Sequence, residues 1–117
     1  MQRELVERAK AGDRDAFAEL QRGSIDKLYA IARLILRDSD RAQDATQEAF
    51  IAAWRRVSGL RDPDAWDAWI RRLLVNACCE EARRAKRRSR AEQRVEPIEG
   101  HAADPATATA DRDELAR

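Results

Sequence analysis

Histidine and cysteine are almost absent from this chain of 117 residues, which holds one histidine, His101, and two cysteines, Cys78 and Cys79. The cysteines are adjacent, and no Cys-x-x-Cys or His-x-x-x-His spacing accompanies them. Zinc ligand sets and structural disulfides are therefore not expected, and both thiols read as free, with Cys78 on the packed side of a helix. No glycine-rich loop is present to cradle a phosphate, and the carboxylates fall on exposed helix faces or at caps. With the only histidine near the C-terminus, no acid–base or nucleophilic set can be assembled, so the chain does not read as an enzyme and implies no cofactor, metal or small-molecule substrate. No apolar run approaches the roughly 18 residues a membrane span needs, and QRELVERAK lacks the layout of a signal peptide. A cytoplasmic protein without a membrane partner is the expectation.

What the chain has in quantity is charge. The charged fraction is 38% and the mean hydropathy is −0.74, high polarity for a compact protein. Yet the Leu, Ile, Val, Phe and Trp residues fall in periodic clusters, which argues for folded helices plus a disordered segment. The formal net charge of +1 conceals an asymmetry: residues 71–94 carry nine basic and three acidic side chains, a net of +6, whereas residues 95–117 carry two basic and six acidic, a net of −4. A basic helix is followed by an acidic tail.

The apolar periodicity predicts an all-α, compact bundle of about four helices over residues 1–94, with a disordered, flexible linker over 95–117. The first helix spans 2–11, with Leu5, Val6 and Ala9 on one face. It stops where Gly12 can turn left-handed and Asp13 can cap the second helix. Ala16, Phe17 and Leu20 begin the next pattern, which loosens at Gly23 and resumes with Ile25, Leu28, Ile31, Ala32 and Ile35; one long bent helix and two short ones both satisfy it. RDSD breaks the pattern near Asp38, and Asp40 is the expected cap of a third helix over 41–57 with the stripe Ala49, Phe50, Ala53, Trp54 and Val57. SGLRDPD supplies a loop, with Asp62 as cap and Pro63 at the first position of a fourth helix. That helix runs to about Arg88 or beyond, and its stripe is Trp66, Trp69, Ile70, Leu73, Leu74 and Ala77. Both tryptophans read as core rather than as platforms for base stacking. No strand alternation and no long-period repeat occur.

Two faces stand apart from the core pattern. On the third helix, Asp44, Gln47, Glu48, Ile51 and Arg55 lie opposite Phe50 and Trp54. Asp44 and Glu48 are like charges one turn apart, a pair that costs a few tenths of a kcal/mol, and Glu48 has no Lys or Arg three or four positions on to offset it. Either this is an ordinary solvated face, or it is an acidic and amide patch, with Ile51 as an apolar contact, that meets a basic partner. On the fourth helix, Arg72, Asn76, Cys79 and Arg83 are spaced to put the Asn76 amide on an exposed ridge between guanidinium groups. That residue is either simply solvated or suited to pair with a base edge while the arginines hold phosphates. The helix dipole accounts for two or three basic residues in RRAKRRSR, not for nine across 71–94.

Three segments, VERAKAGDRDAFAEL, DATQEAFIAAWRRV and WDAWIRRLLVNACCEEARRAKRR, occur in an order and spacing that resemble region 2 of an extracytoplasmic-function (ECF) sigma factor, a promoter-reading subunit of bacterial RNA polymerase. The resemblance extends from Leu5 to about Arg88. The closing DRDELAR resembles the opening of the family's second, region 4 domain, so a fragment without that domain is expected. The resemblance implies that the third helix, through Asp44, Gln47 and Glu48 with Ile51 and Arg55 on the same face, docks on the clamp-helix coiled coil of the polymerase β′ subunit, flanked by Leu36, Arg37 and the RDSD turn.

It implies further that Ser58, Gly59, Leu60, Arg61 and Asp62 and the first turns of the fourth helix take the non-template strand of promoter DNA at the minus-ten element, with one base flipped out. Asn76 matches the asparagine of the family's VN pair, and Arg72, Cys79, Arg83, Arg84, Arg87 and Arg88 extend the DNA face. Pro63 and the acids Asp62, Asp64 and Asp67 depart from a phosphate-friendly loop, so base preference does not carry over. An anti-sigma factor is a further implied partner. Two alternatives remain open: an interaction module sequestered by such a factor, in which the acidic tail competes with DNA for the basic helix, and a generic helical binder of duplex DNA.

Overall fold

Aspartates set where the helices begin. In the computed structural model, which describes residues 1–93, helix α1 (Gln2–Lys10) ends at Ala11 and is followed by Gly12 at φ +100°, a left-handed turn that costs a glycine little. Asp13 then caps α2 (Arg14–Leu36), its Oδ1 accepting the Ala16 N–H at 3.2 Å. Helix α3 (Ser39–Arg56) is capped by Asp38, whose Oδ1 accepts the Arg41 N–H at 3.0 Å. The expected cap was Asp40. The helix starts two residues earlier, and Asp40 instead lies in the first turn, where a negative charge complements the dipole. The capping N–H groups of Ala16 and Arg41 are the main reason the Asp13 and Asp38 carboxyls are held below the usual carboxylate range. Between α2 and α3, Arg37 sits at φ 57°, and its N–H reaches the Arg33 carbonyl at 2.9 Å. This left-handed residue turns the chain sharply enough for α3 to begin at once.

Helix α2 is continuous through Gly23, so the single-helix reading holds. After α3 the chain makes two short 3-10 turns, Val57–Gly59 and Pro63–Ala65, and enters α4 (Trp66–Gln93). Asp62 caps the second turn rather than α4 itself, accepting the Asp64 N–H at 3.0 Å. The described residues therefore form a four-helix, all-α fold without strands. The segment 95–117, expected to be a linker, lies outside the described residues.

Phe17 is the hub of the core. Its ring meets Trp54 of α3 edge-on at 5.2 Å and Trp66 of α4 at 6.0 Å, so three helices converge on one aromatic contact. Trp66 is 0% exposed, and its indole N–H donates to Ser24 Oγ at 3.2 Å, which satisfies the one polar atom it buries. Trp69, on the same predicted stripe, is only half-buried and leans on Trp66 at 5.7 Å. Ile25 also falls short of the core. On α3 the buried face is built largely of small residues: Ala42, Ala45, Ala49 and Ala53, together with Thr46, whose hydroxyl donates to the Ala42 carbonyl at 2.7 Å. Side chains this short let helix backbones approach closely. Cys78 completes the packing on α4, and burial pushes its thiol up to about 12.

This core makes two measurable demands. Trp66→Ala is expected to destabilise the fold by about 3–5 kcal/mol in urea unfolding, with Trp66→Phe losing markedly less, because the cavity term dominates. The Cys78 thiol stays neutral when folded but ionises in the unfolded chain near pH ~8.5. Its raised pKa contributes stability that is intact below that pH and lost as pH climbs towards the folded value. The stability advantage of the wild type over Cys78→Ser should therefore shrink between about pH 8.5 and about pH 10. A constant difference across that window would contradict the assignment.

Candidate functional site

With Ala42, Ala45, Thr46, Ala49, Phe50 and Ala53 turned inward, α3 keeps one open ridge. Asp44, Gln47, Ile51 and Arg55 are exposed along it, and Glu48 is half-buried. Ile51 is 52% exposed, an isoleucine presented to water among polar neighbours. A groove runs along each side. The one towards α4, of about 410 Å³, is lined by Asp40, Asp44, Glu48, Glu81, Arg84 and Arg88 among others. The one towards α2, of about 490 Å³, is lined by Phe17, Gln21, Phe50, Trp54 and Arg55. Gln47 and Ile51 border both, so the ridge has a charged flank and an aromatic flank.

The cation that Glu48 lacks on its own helix arrives from α4. Arg84 Nη2 donates to Glu48 Oε2 at 2.9 Å and to Glu81 Oε1 at 2.8 Å, and Arg88 Nη2 lies 3.4 Å from Glu81 Oε2. Glu81 is 4% exposed, the most deeply buried acid among the described residues. It and, to a lesser degree, Glu48 raise the Arg84 pKa above its already high value. The Glu81 end of this chain is shielded from solvent and the Glu48 end is open, so screening by salt acts mainly on the latter. Reading the sequence missed Glu81. The signal was available, since the α4 stripe continued one turn past Ala77 reaches it.

The expected DNA face is narrower than its sequence spacing suggested. Arg72 and Asn76 are exposed, as are Ser58, Gly59, Arg61 and Asp62 in the preceding loop. Leu60 is not: at 7% exposure it joins the core, as an apolar side chain in a short loop does when the neighbouring helices offer it cover. Cys79, placed on an open ridge by spacing alone, is 4% exposed; a small thiol loses solvent readily. Arg83 pairs with Glu80 at 3.2 Å, and Arg87 is 63% exposed with Glu80 at 3.9 Å. Arg84 and Arg88, expected on phosphates, are turned to the carboxylates of the α3–α4 groove. In the loop, Arg3 of α1 pairs with Asp64 at 2.8 Å and so offsets one of the acids that would oppose a phosphate. Of the flanking positions, Leu36 and Arg37 close α2 and lie directly before the Asp38 cap.

Among the described residues no group of three or more His, Cys, Asp or Glu is placed to hold a metal ion, and no helix is long and apolar enough to cross a membrane.

Comparison with known proteins identifies the family of this fold. The family model described as sigma-70 region 2 matches residues 22–88, which include all of α3 and the loop and most of α2 and α4. The chain is 42% identical over 83 residues to the ECF RNA polymerase sigma factor SigM of Mycobacterium tuberculosis, covering 71% of this chain and 42% of SigM. It is 29% identical over 86 residues to the ECF RNA polymerase sigma factor SigW of Bacillus subtilis, covering 74% of this chain and 46% of SigW. With the ECF RNA polymerase sigma factor BldN of Streptomyces coelicolor it shares 40% identity over 76 residues, covering 62% of this chain and 29% of BldN. The chain thus spans less than half the length of each of these three curated relatives. No solved structure matches it. A four-helix domain whose three landmark segments fall on α1 to α4 in order, with a family model matching more than half of the chain, belongs to the sigma-70 region 2 family, with ECF sigma factors among its relatives.

Proposed function

We propose that this domain docks on core RNA polymerase through the α3 ridge and presents the loop and α4 to promoter DNA at the minus-ten element, where it captures one unstacked base of the non-template strand. The observation that carries the reading is the ridge itself. Asp44, Gln47, Ile51 and Arg55 are exposed on the one face of α3 that packs against nothing among the described residues, with a groove on either side. A ridge between two grooves suits a partner made of two helices that straddles it. The exposed Ile51 supplies an apolar anchor at its centre, and Asp44 and Glu48 favour a basic partner. The clamp-helix coiled coil of β′, implied by family resemblance, is such a partner.

On the DNA side, Arg72, Asn76 and Arg61 lie open to solvent, and basic side chains outnumber acids on α4. Phosphate contacts position the strand, and the Asn76 amide is free to meet a base edge. Unstacking a base costs a few kcal/mol, an amount that one pocket and several phosphate contacts can offset. The role is non-enzymatic, and its site of action would be the cytoplasm, where the polymerase works. Sequestration by an anti-sigma factor would use the same exposed surfaces.

The two faces should separate by mutation. Asp44→Arg is expected to abolish binding to a β′ clamp-helix fragment in a titration while circular dichroism stays helical, and Ile51→Ala to weaken it roughly tenfold. Asn76→Ala is expected to leave that binding intact and to weaken a single-stranded minus-ten oligonucleotide by about 1–3 kcal/mol. Equal affinity for any duplex, with no effect of Asp44→Arg, would favour the generic DNA binder instead.

A further inference from the structure

We infer that Arg84 is a positioning residue of the α3 docking ridge, holding the Glu48 carboxylate for a partner's cation, and is not a phosphate contact of the DNA face. The inference rests on the docking function proposed above and assigns it a residue that the reading of the sequence had given to DNA.

Five of the eight basic residues of α4 fall in two rows. Glu81, Arg84 and Arg88 are spaced three and four apart and face α3, where they line the charged groove beside Glu48. Arg72, Asn76, Arg83 and Arg87 are spaced four, seven and four apart, roughly a third of a turn further round the helix. Within the first row a single nitrogen, Nη2 of Arg84, bridges Glu48 Oε2 at 2.9 Å and Glu81 Oε1 at 2.8 Å. To swing its guanidinium round to the side of the other row, a third of a turn away, Arg84 would have to abandon two charge-assisted hydrogen bonds, one of them to a carboxylate that is 4% exposed. Leaving that acid with only the longer Arg88 contact at 3.4 Å is costly, because a buried charge cannot recover water. Arg87, at 63% exposure and 3.9 Å from its nearest carboxylate, has no such tie.

The consequence for docking concerns Glu48. Asp44 lies one turn away with the same charge, and a glutamate left to itself would swing away from it among several rotamers. Anchored by its Oε2 to Arg84, the Glu48 carboxylate stays on the ridge beside Ile51 and keeps Oε1 for a second cation. A side chain already ordered in the free protein loses less freedom on binding, an effect worth roughly three- to tenfold in affinity. The opposing effect is electrostatic, since Arg84 also reduces the negative charge that draws a basic partner. The sign of a measured change therefore decides which effect governs.

The test compares Arg84→Gln, Arg84→Lys, Glu48→Gln and the Arg84→Gln/Glu48→Gln pair in the full 117-residue chain. Each is titrated with a β′ clamp-helix fragment and, over a salt series, with a single-stranded minus-ten oligonucleotide. If Arg84→Gln unfolds because Glu81 loses the closer of its two cations, Arg84→Gln/Glu81→Gln takes its place. The expected result is a three- to tenfold weaker fragment affinity for Arg84→Gln, partial recovery with Arg84→Lys, and no further loss when Glu48→Gln is already present. Oligonucleotide affinity and its salt dependence should not change. Unchanged or tighter fragment binding by Arg84→Gln overturns the assignment while the docking function stands. So does a weaker oligonucleotide affinity with a salt slope reduced by about 0.7, the signature of one lost phosphate contact on a single strand. Failure of the wild-type chain to bind the fragment at all removes the docking function and the role of Arg84 together.

Discussion

The alanine face of α3 is the constraint on which the rest of the architecture depends. Ala42, Ala45, Ala49 and Ala53 are each 0% exposed, and four methyl groups in a row allow α3 to lie tight against its neighbours. That closeness brings the ends of long side chains across the gap, so Arg84 of α4 can reach Glu48 of α3, 36 positions away in sequence. Among the described residues it also leaves α3 one free ridge, and the ridge carries the residues that resemble the docking surface of the family. Larger residues in the stripe would force the helices apart and loosen the ionic bridge with the aromatic hub around Phe17.

Charge on this domain is sorted more finely than a net count suggests. Helix α4 is strongly basic, yet part of that charge is taken up internally by Glu80, Glu81 and Glu48. What remains open includes the loop residue Arg61 and Arg71, Arg72, Arg87 and Arg90, with the exposed Asn76 amide on the same helix as these four. Such a set of open charges fits a domain that binds a few phosphates weakly by itself and gains affinity when polymerase holds it next to DNA. The aspartates of the loop fit the same picture, with Asp62 capping a turn and Asp64 tied to Arg3.

Most of the fold was legible in the sequence because helical periodicity is a local signal. The four helices, the stripe on α3 and most of the stripe on α4 emerge from spacing. The errors arise where tertiary contacts decide. Asp38 and Asp40 are both good caps two residues apart, and only the left-handed Arg37 shows which one is used. Trp66 and Trp69 share a stripe, but Phe17 and Ser24 lie opposite Trp66, so Trp66 is buried and Trp69 is left half-exposed. Leu60 looks like a loop residue until the helices that cover it are in place. The landmark residues of α3 were legible as a face, and their exposure agrees with that, but the arginine that partners Glu48 lies on another helix and no local rule pairs them. The buried Glu81 was within reach of the periodicity, and with it the turn of Arg84 towards the α3–α4 groove.

The central claim is that docking and DNA contact occupy different faces of one small domain. A residue-resolved NMR titration tests it most directly, adding the β′ clamp-helix fragment first and a single-stranded minus-ten oligonucleotide second. The account predicts shifts confined to Asp44, Gln47, Glu48, Ile51 and Arg55 in the first step, and to Ser58, Arg61, Arg72 and Asn76 in the second. Both ligands perturbing the same residues, or the fragment shifting α4 and leaving the α3 ridge untouched, would contradict it.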